Sequence, residues 1–320
     1  MCVHRTVPGA RYLAPCTFGM EACSSAHHWG CWLTERGHRV RLMAAEFVKP
    51  FRKSKGAKND RNDAEAIVEA MSRPSMRFVA VKAVDQQAIL AWHRMRAGWN
   101  EERTALINRV RGLLAEFGVW LPRSAQALIR ALPRLIQDDS LPPRLRALIT
   151  LAEEQLRLLD ERIDQCAIEI REHAKQSEDA RRITAITGIG PITASAVLAT
   201  VPHARDFKNG RQMAAWVGLT PRQHSSGGKE RLGVITKRGD TYLRGLLTQG
   251  ARSTLQAALT KAPDRLTRLE SWIVALHARV GYHKTLVAIA NKHARMIWAL
   301  LAKGEAYDPT AWQRYVPSIN

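Results

Sequence analysis

The chain has 320 residues, a formal net charge of +20 and a sequence pI near 10.4. This length suggests two domains, or one compact domain plus a helical insertion, and the 46% hydrophobic content is enough to build a core. The excess of 49 Lys and Arg over 29 Asp and Glu suits a phosphate-rich partner, because each cation placed on a phosphate releases condensed counterions. An acidic membrane surface would also attract such a chain. However, no apolar run approaches the roughly 18 to 20 residues of a membrane span, and the first twenty residues lack the apolar core of a signal peptide. The expectation is a cytoplasmic (nucleoid-associated) protein with no membrane partner.

In chain order, Thr17 to Cys23 reads as a short strand ending at Glu21. A helix follows from about Ser24 to Arg36 and is ended by Gly37. The five cysteines (Cys2, Cys16, Cys23, Cys31, Cys166) include no C-x-x-C pair. Cys23, His27, His28 and Cys31 therefore read as a packed helix face rather than a zinc site. Arg39 to Met43 alternates basic and apolar residues, a half-buried strand pattern. The basic stretch Lys49 to Lys58 reads as a loop, Asn59 to Met71 as a helix, and Arg77 to Val81 as a strand. Alternating strands and helices make residues 1–84 an α/β region.

Residues 85–178 are predicted to be helical. Trp92, Trp99, Leu106 and Leu113 recur every seven residues, with Met95, Val110 and Phe117 on the same stripe. Leu145, Leu148, Ala152, Leu156, Leu159, Ile163 and Ile170 form a second stripe. The pattern predicts two long helices packed as a coiled coil, joined through Pro122, Pro133, Pro142 and Pro143. A helical bundle core fits it equally well. Residues 179–320 are richer in glycine and basic residues up to Gly250, then helical again.

Four groups of residues could carry chemistry. Asp60 and Asp63 share one helix face, and Glu21 ends a strand. Gathered within roughly 4 to 7 Å, such acids could hold magnesium; Asp in a first helical turn also simply favours the helix dipole. The segment Ile186 to Ala194, with Gly188 and Gly190, resembles the hairpin of a helix-hairpin-helix motif, whose backbone N–H groups meet a phosphate. A tight turn between packed helices is the alternative. The segment Pro221 to Lys229 holds Ser225 and Ser226 beside Gly227 and Gly228. From Arg205 to Arg252 there are ten Lys or Arg and three acids, a setting in which a serine hydroxyl could attack phosphorus. Lys229, Arg231, Lys237, Arg238 and Arg244 are candidate phosphate contacts, or else a solvated charged face.

Taken together, the strings Gly19-Met20-Glu21-Ala22-Cys23, Lys58 to Glu65, Gly112 to Gly118, Gly188-Ile189-Gly190-Pro191, Gly218 to Pro221, Ser225 to Lys229 and Lys237 to Asp240 resemble the bridge-RNA-guided insertion-sequence transposases of the IS110 family, in its IS1111 branch. The resemblance runs from about Thr17 to Leu301. It implies an α/β plus α protein: a RuvC-like (ribonuclease-H) domain, a coiled-coil segment, and a mainly helical C-terminal transposase domain with the helix-hairpin-helix-like motif. It implies that Glu21, Asp60 and Asp63 are the second, third and fourth acids of an Asp-Glu-Asp-Asp tetrad holding Mg2+, and that Ser226 is the nucleophile, with Ser225 still open. DNA, a bridge RNA and a homo-oligomer (dimer or tetramer) are the implied partners.

One departure stands out: no Asp precedes Asp60. The expectation is an incomplete RuvC-like domain, from a truncated element or a start at an internal Met, with an exposed sheet edge and an incomplete tetrad that leaves an inactive chain open. The alternatives from other classes are a non-catalytic nucleic-acid-binding remnant and a metal-dependent junction nuclease.

Overall fold

The computed structural model describes residues 13–52, 59–224 and 231–310. The chain divides into two units, Met1–Ala88 with Ala199–His203, and Ile89–Leu198 with Ala204–Asn320.

In the first unit, strand β1 (Thr17–Glu21) is followed by helix α1 (Ala26–Thr34) and strand β2 (Arg39–Met43). Next come the short helix α2 (Ala45–Val48), a 3-10 turn at Lys49–Phe51, helix α3 (Asp60–Ser72) and strand β3 (Phe78–Val79). The strands form an open sheet in the order β1-β2-β3. β1 and β2 are parallel, with Glu21 opposite Met43, and β3 returns antiparallel to β2. Two parallel neighbours need a crossover, and α1 supplies it. Gly37, at φ 82°, closes that helix so that the chain can turn into β2. Met43, Val48, Ala66 and Ala70 form the buried core, with Phe51, Ile67 and Met71 packed against them.

Gly19 explains how close α3 lies to β1. A Cβ at this position would stand 2.9 Å from Met71 Sδ and 3.1 Å from Ile67 Cγ2. Glycine therefore lets the helix carrying Asp63 settle on the strand carrying Glu21. His27 and Cys31 of α1 both bond to the backbone of Lys82. His27 Nδ1 accepts from the Lys82 backbone N–H at 3.2 Å, and the Cys31 thiol donates to the Lys82 carbonyl at 3.3 Å.

The second unit is mainly helical. Helix α4 spans Val84–Glu116, α5 Ala125–Ile136, α6 Pro143–Gln176, α7 Glu178–Thr184 and α8 Pro191–Thr200. Helix α9 (Gly210–Trp216), the antiparallel hairpin β4 (Pro221–Gln223) and β5 (Leu232–Ile235), and helices α10 (Thr241–Thr260), α11 (Arg268–Val280) and α12 (Tyr282–Lys303) follow.

Two sequence expectations change here. The proline-containing connection between the long helices is itself a helix, α5, with Pro133 inside it. Its buried Leu128, Ala131, Leu132 and Leu135 recur at helical spacing and insert between α4 and α6. The packed stripe on α4 is also different. Ile107, Val110 and Leu114 are buried, whereas Trp92, Met95, Leu113 and Phe117 are exposed. The second stripe is buried at Leu145, Ala152, Leu156, Leu159 and Ile170, with Leu148 outside. The result is a three-helix core rather than a two-helix seam. The Arg103–Asp160 ion pair and the Arg162 guanidinium over the Trp99 ring tie α4 to α6 beyond it.

Candidate active site

Glu21 closes β1, and Asp63 lies in the first turn of α3, whose N-cap Asn59 accepts from the Asn62 N–H at 2.8 Å. Arg52 follows the 3-10 turn and reaches both acids. Its Nη2 is 3.7 Å from Glu21 Oε1, and its Nε is 3.1 Å from Asp63 Oδ1. The contact with Glu21 is ionic but too long to be a hydrogen bond, so Oε1 is buried without a donor. Asp60 sits in the same first turn but is exposed. Among the described residues, no three His, Cys, Asp or Glu side chains gather as a metal-ligand set. The expected trio is therefore a pair of carboxylates facing one guanidinium.

The pair has two features that a divalent cation could use. Both acids already face a single positive group, and one carboxylate oxygen is desolvated with no proton donor. A buried acceptor in that condition is costly unless a cation satisfies it.

In the second unit, the turn from Thr236 to Asp240 packs backbone against backbone on the turn after α9. A Cβ on Gly239 would lie 2.0 Å from the Trp216 carbonyl oxygen, and one on Gly218 2.3 Å from the Arg238 carbonyl oxygen. The Lys237 N–H donates to the Gly218 carbonyl at 3.2 Å, with Lys237 itself at φ 54°. Such a backbone is rare for a residue with a side chain. Arg244 Nη1 donates to the carbonyls of Val217 at 3.0 Å and Arg238 at 2.8 Å, and its Nη2 to Thr241 Oγ1 at 3.1 Å. Its guanidinium thus braces the turn on which Lys237 and Arg238 are exposed. The Asp240 side chain caps α10 through the Leu243 N–H. Arg231 is exposed at the start of the strand β5 segment, where its carbonyl accepts from the His224 N–H at 2.9 Å. Ser225, Ser226 and Lys229 lie outside the described residues.

Gly188 and Gly190 join α7 to α8. Gly188, at φ 88°, presses on α10: a Cβ there would meet Thr254 Oγ1 at 2.2 Å and the Gly250 carbonyl at 2.4 Å. Close packing is thus one physical reason for glycine at 188. At Gly190 a Cβ would meet nothing within 4 Å.

Two features were not visible in the sequence. One is Arg52, hidden in a basic stretch. The other is a buried polar knot: Ser195 Oγ lies 3.0 Å from His93 Nε2 and 3.0 Å from His173 Nδ1, and His93 Nδ1 lies 3.0 Å from the Tyr242 hydroxyl. Burial, aided by the charges of His173 and Arg96, pushes His93 down to about 4, so it is neutral near pH 7.

The comparisons with known proteins agree across both units. A sequence-family model described as "Transposase IS116/IS110/IS902 family" matches residues 180–265, and another described as "Transposase" matches residues 6–118. The "Probable family 20 transposase" of Pseudomonas aeruginosa is 47% identical over 302 residues, covering 93% of this chain and 88% of the relative. This chain belongs to the IS116/IS110/IS902 transposase family. Other relatives are the "Transposase for insertion sequence element IS1111A" of Coxiella burnetii, 42% identical over 90% of this chain and 78% of the relative, and that for IS1328 of Yersinia enterocolitica, 39% identical over 92% and 86%. Family membership makes this a protein of DNA transposition, with DNA as its partner. Among the described residues, no helix is long and apolar enough to cross a membrane.

Proposed function

We propose that this transposase cuts and rejoins DNA strands at the ends of an insertion sequence, with Glu21 and Asp63 holding a magnesium ion, Asp60 as a further carboxylate, and Ser226 as the nucleophile. The observation that carries the reading is the meeting of Glu21 and Asp63 on Arg52, with a Glu21 oxygen buried and lacking a donor.

When bound, magnesium would neutralise charge developing on the phosphodiester oxygens. Arg52 holds the two acids together without it and competes for the same oxygens. The Ser226 hydroxyl attacks phosphorus: an Oγ–P bond forms, one bridging P–O bond breaks, and the serine proton ends on the leaving oxygen. Lys237 and Arg238 steady the strand through its phosphates, on a turn that Arg244 keeps in shape. Rejoining reverses the step with a different strand end. A guide RNA pairing with the element ends and target, and assembly as a homo-oligomer, complete the reading by family resemblance.

The test is to trap a covalent protein–DNA adduct and map it. The adduct should sit on Ser226, should require magnesium and should vanish in Glu21→Gln. An adduct on Ser225, or one that forms equally well in chelator, sinks the assignment.

A further inference from the structure

Where α9 packs on α12 there is a cavity of about 480 Å³, bounded by Gly210, Arg211, Lys292, Arg295, Met296 and Trp298. The helices touch through their backbones, since a Cβ on Gly210 would lie 2.9 Å from Arg295 Cα. The cavity opens beside that contact. Its walls are mostly apolar, with three cationic side chains among the residues that bound it. Trp298 is an aromatic platform held still by its own indole N–H, which donates to the carbonyls of Ala204 at 3.0 Å and Phe207 at 3.2 Å. Around it stand three cations. Among the described residues, no carboxylate pairs with Arg211 or Arg295. The Lys292 ammonium lies 4.5 Å from the centre of the Trp272 ring.

Cations crowded together repel, and half-burial adds a desolvation cost. Lys292 registers both, lowered to about 8 by burial first and by Arg295 second. An anionic occupant would relieve the crowding. A bare phosphate would not use the indole and thioether walls, and an apolar ligand would leave Arg211 and Arg295 without a counter-charge. A planar ring attached to a phosphate answers both, and the volume falls within the ~300–1000 Å³ of small-ligand pockets. A base stacked in a duplex cannot enter such a cavity, whereas an unpaired one can stack on an aromatic side chain.

The geometry points to a site for one unpaired nucleotide of a single-stranded DNA or RNA segment, its base against Trp298 and Met296 and its phosphate between Arg211 and Arg295. This rests on the reading of the chain as a strand-exchanging enzyme, a reaction that exposes single strands.

The experiment uses the full chain with single-stranded DNA and single-stranded RNA carrying 5-iodouracil, and with the matched duplex. Irradiation should give an adduct on Trp298 or Met296 with a single strand and none with the duplex; the DNA and RNA arms identify the source. Arg211→Ala with Arg295→Ala should flatten the log–log salt dependence of single-strand binding by about 0.7 for each phosphate left without its arginine. Ala299 also lines the cavity, and Ala299→Phe fills it while keeping every charge. It should abolish the adduct and weaken single-strand binding about tenfold, with the melting temperature and salt slope nearly unchanged. Adducts only at other residues, or variants that bind like the parent, overturn this site and leave the transposase reading intact. Failure of the unaltered chain to bind any of the nucleic acids overturns both.

Discussion

Glu21 and Asp63 come from a strand end and a helix start 42 positions apart, yet both face the guanidinium of Arg52. Each acid is only partly exposed, at 21% and 26% of its side chain, so the Coulomb attraction is less screened than at a free surface. Arg52 therefore has two opposed effects: it stabilises the acid pair by itself, and it competes with any other cation for the same oxygens.

Arg52→Ala should separate these effects. Without divalent ions the melting temperature should fall, because two like charges lose their common counter-charge. Millimolar magnesium should restore much of the loss by binding the folded state alone, a gain of about 2.7 kcal/mol at a hundredfold excess over Kd. Thermal melts with and without magnesium check this, and a variant indifferent to the ion would count against a divalent site.

Ser195→Ala should destabilise the second unit by about 2 kcal/mol, because its hydroxyl serves both His93 and His173 and the imidazoles would be left buried without it. Ser195→Thr keeps the hydroxyl but adds a methyl to a fully buried site, so a smaller loss from overpacking is expected. Denaturant unfolding of both variants gives the comparison.

Stability should fall between about pH 6.5 and pH 4. His93 and His293 are both lowered by burial to about 4, from an ordinary imidazole near 6.5. In that window the unfolded chain binds protons that the folded chain refuses, so acid favours unfolding. Each histidine contributes roughly 3 kcal/mol that is fully present above pH 6.5 and gone below pH 4. His93→Gln should flatten the pH dependence of the melting temperature; an unchanged profile would show that other groups set it.

Gly188→Ala and Gly190→Ala should behave oppositely. The first forces a Cβ into Thr254 and Gly250 at positive φ and should cost more than about 2 kcal/mol. The second meets open space and should leave stability nearly untouched. If Gly188→Ala instead melts normally and only loses DNA affinity, phosphate approach rather than packing explains that glycine.

DNA binding should weaken steeply with salt, with a log–log slope of about −4 to −5 for about five phosphate contacts. Lys237→Ala and Arg238→Ala should each reduce that slope by about 0.9. Arg244→Ala should also lower the melting temperature, since it frees the carbonyls of Val217 and Arg238. A flat salt titration would reject the phosphate-contact reading.

Residue type and spacing marked Glu21, Asp60 and Asp63 only as candidates, because a strand end and a first helical turn are local signals that helix capping also produces. Arg52 was not visible: its role depends on a 3-10 turn bringing it back over α3, which a run of basic residues does not announce. The long helices were legible from their apolar spacing, but not their packed faces. The sevenfold recurrence of Trp92, Trp99, Leu106 and Leu113 imitates a coiled-coil seam, while α5 selects the adjacent stripe of Ile107, Val110 and Leu114. Pro133 concealed α5, because a proline inside a helix costs about 3 kcal/mol and argues for a break. Four buried side chains on that helix outweigh it. His93, Ser195 and His173 are each unremarkable in sequence and meet only through three separate helices.

That meeting point has a mechanical consequence. Ser195 joins α8 to both long helices, through His93 near the start of α4 and His173 near the end of α6. From His93 to the far end of α4 at Glu116 is about 35 Å of continuous helix. The hydroxyl thus stands at the root of a long helical arm. A tilt of about 5° there sweeps the tip, at ~1.5 Å of helix per residue, through about 3 Å.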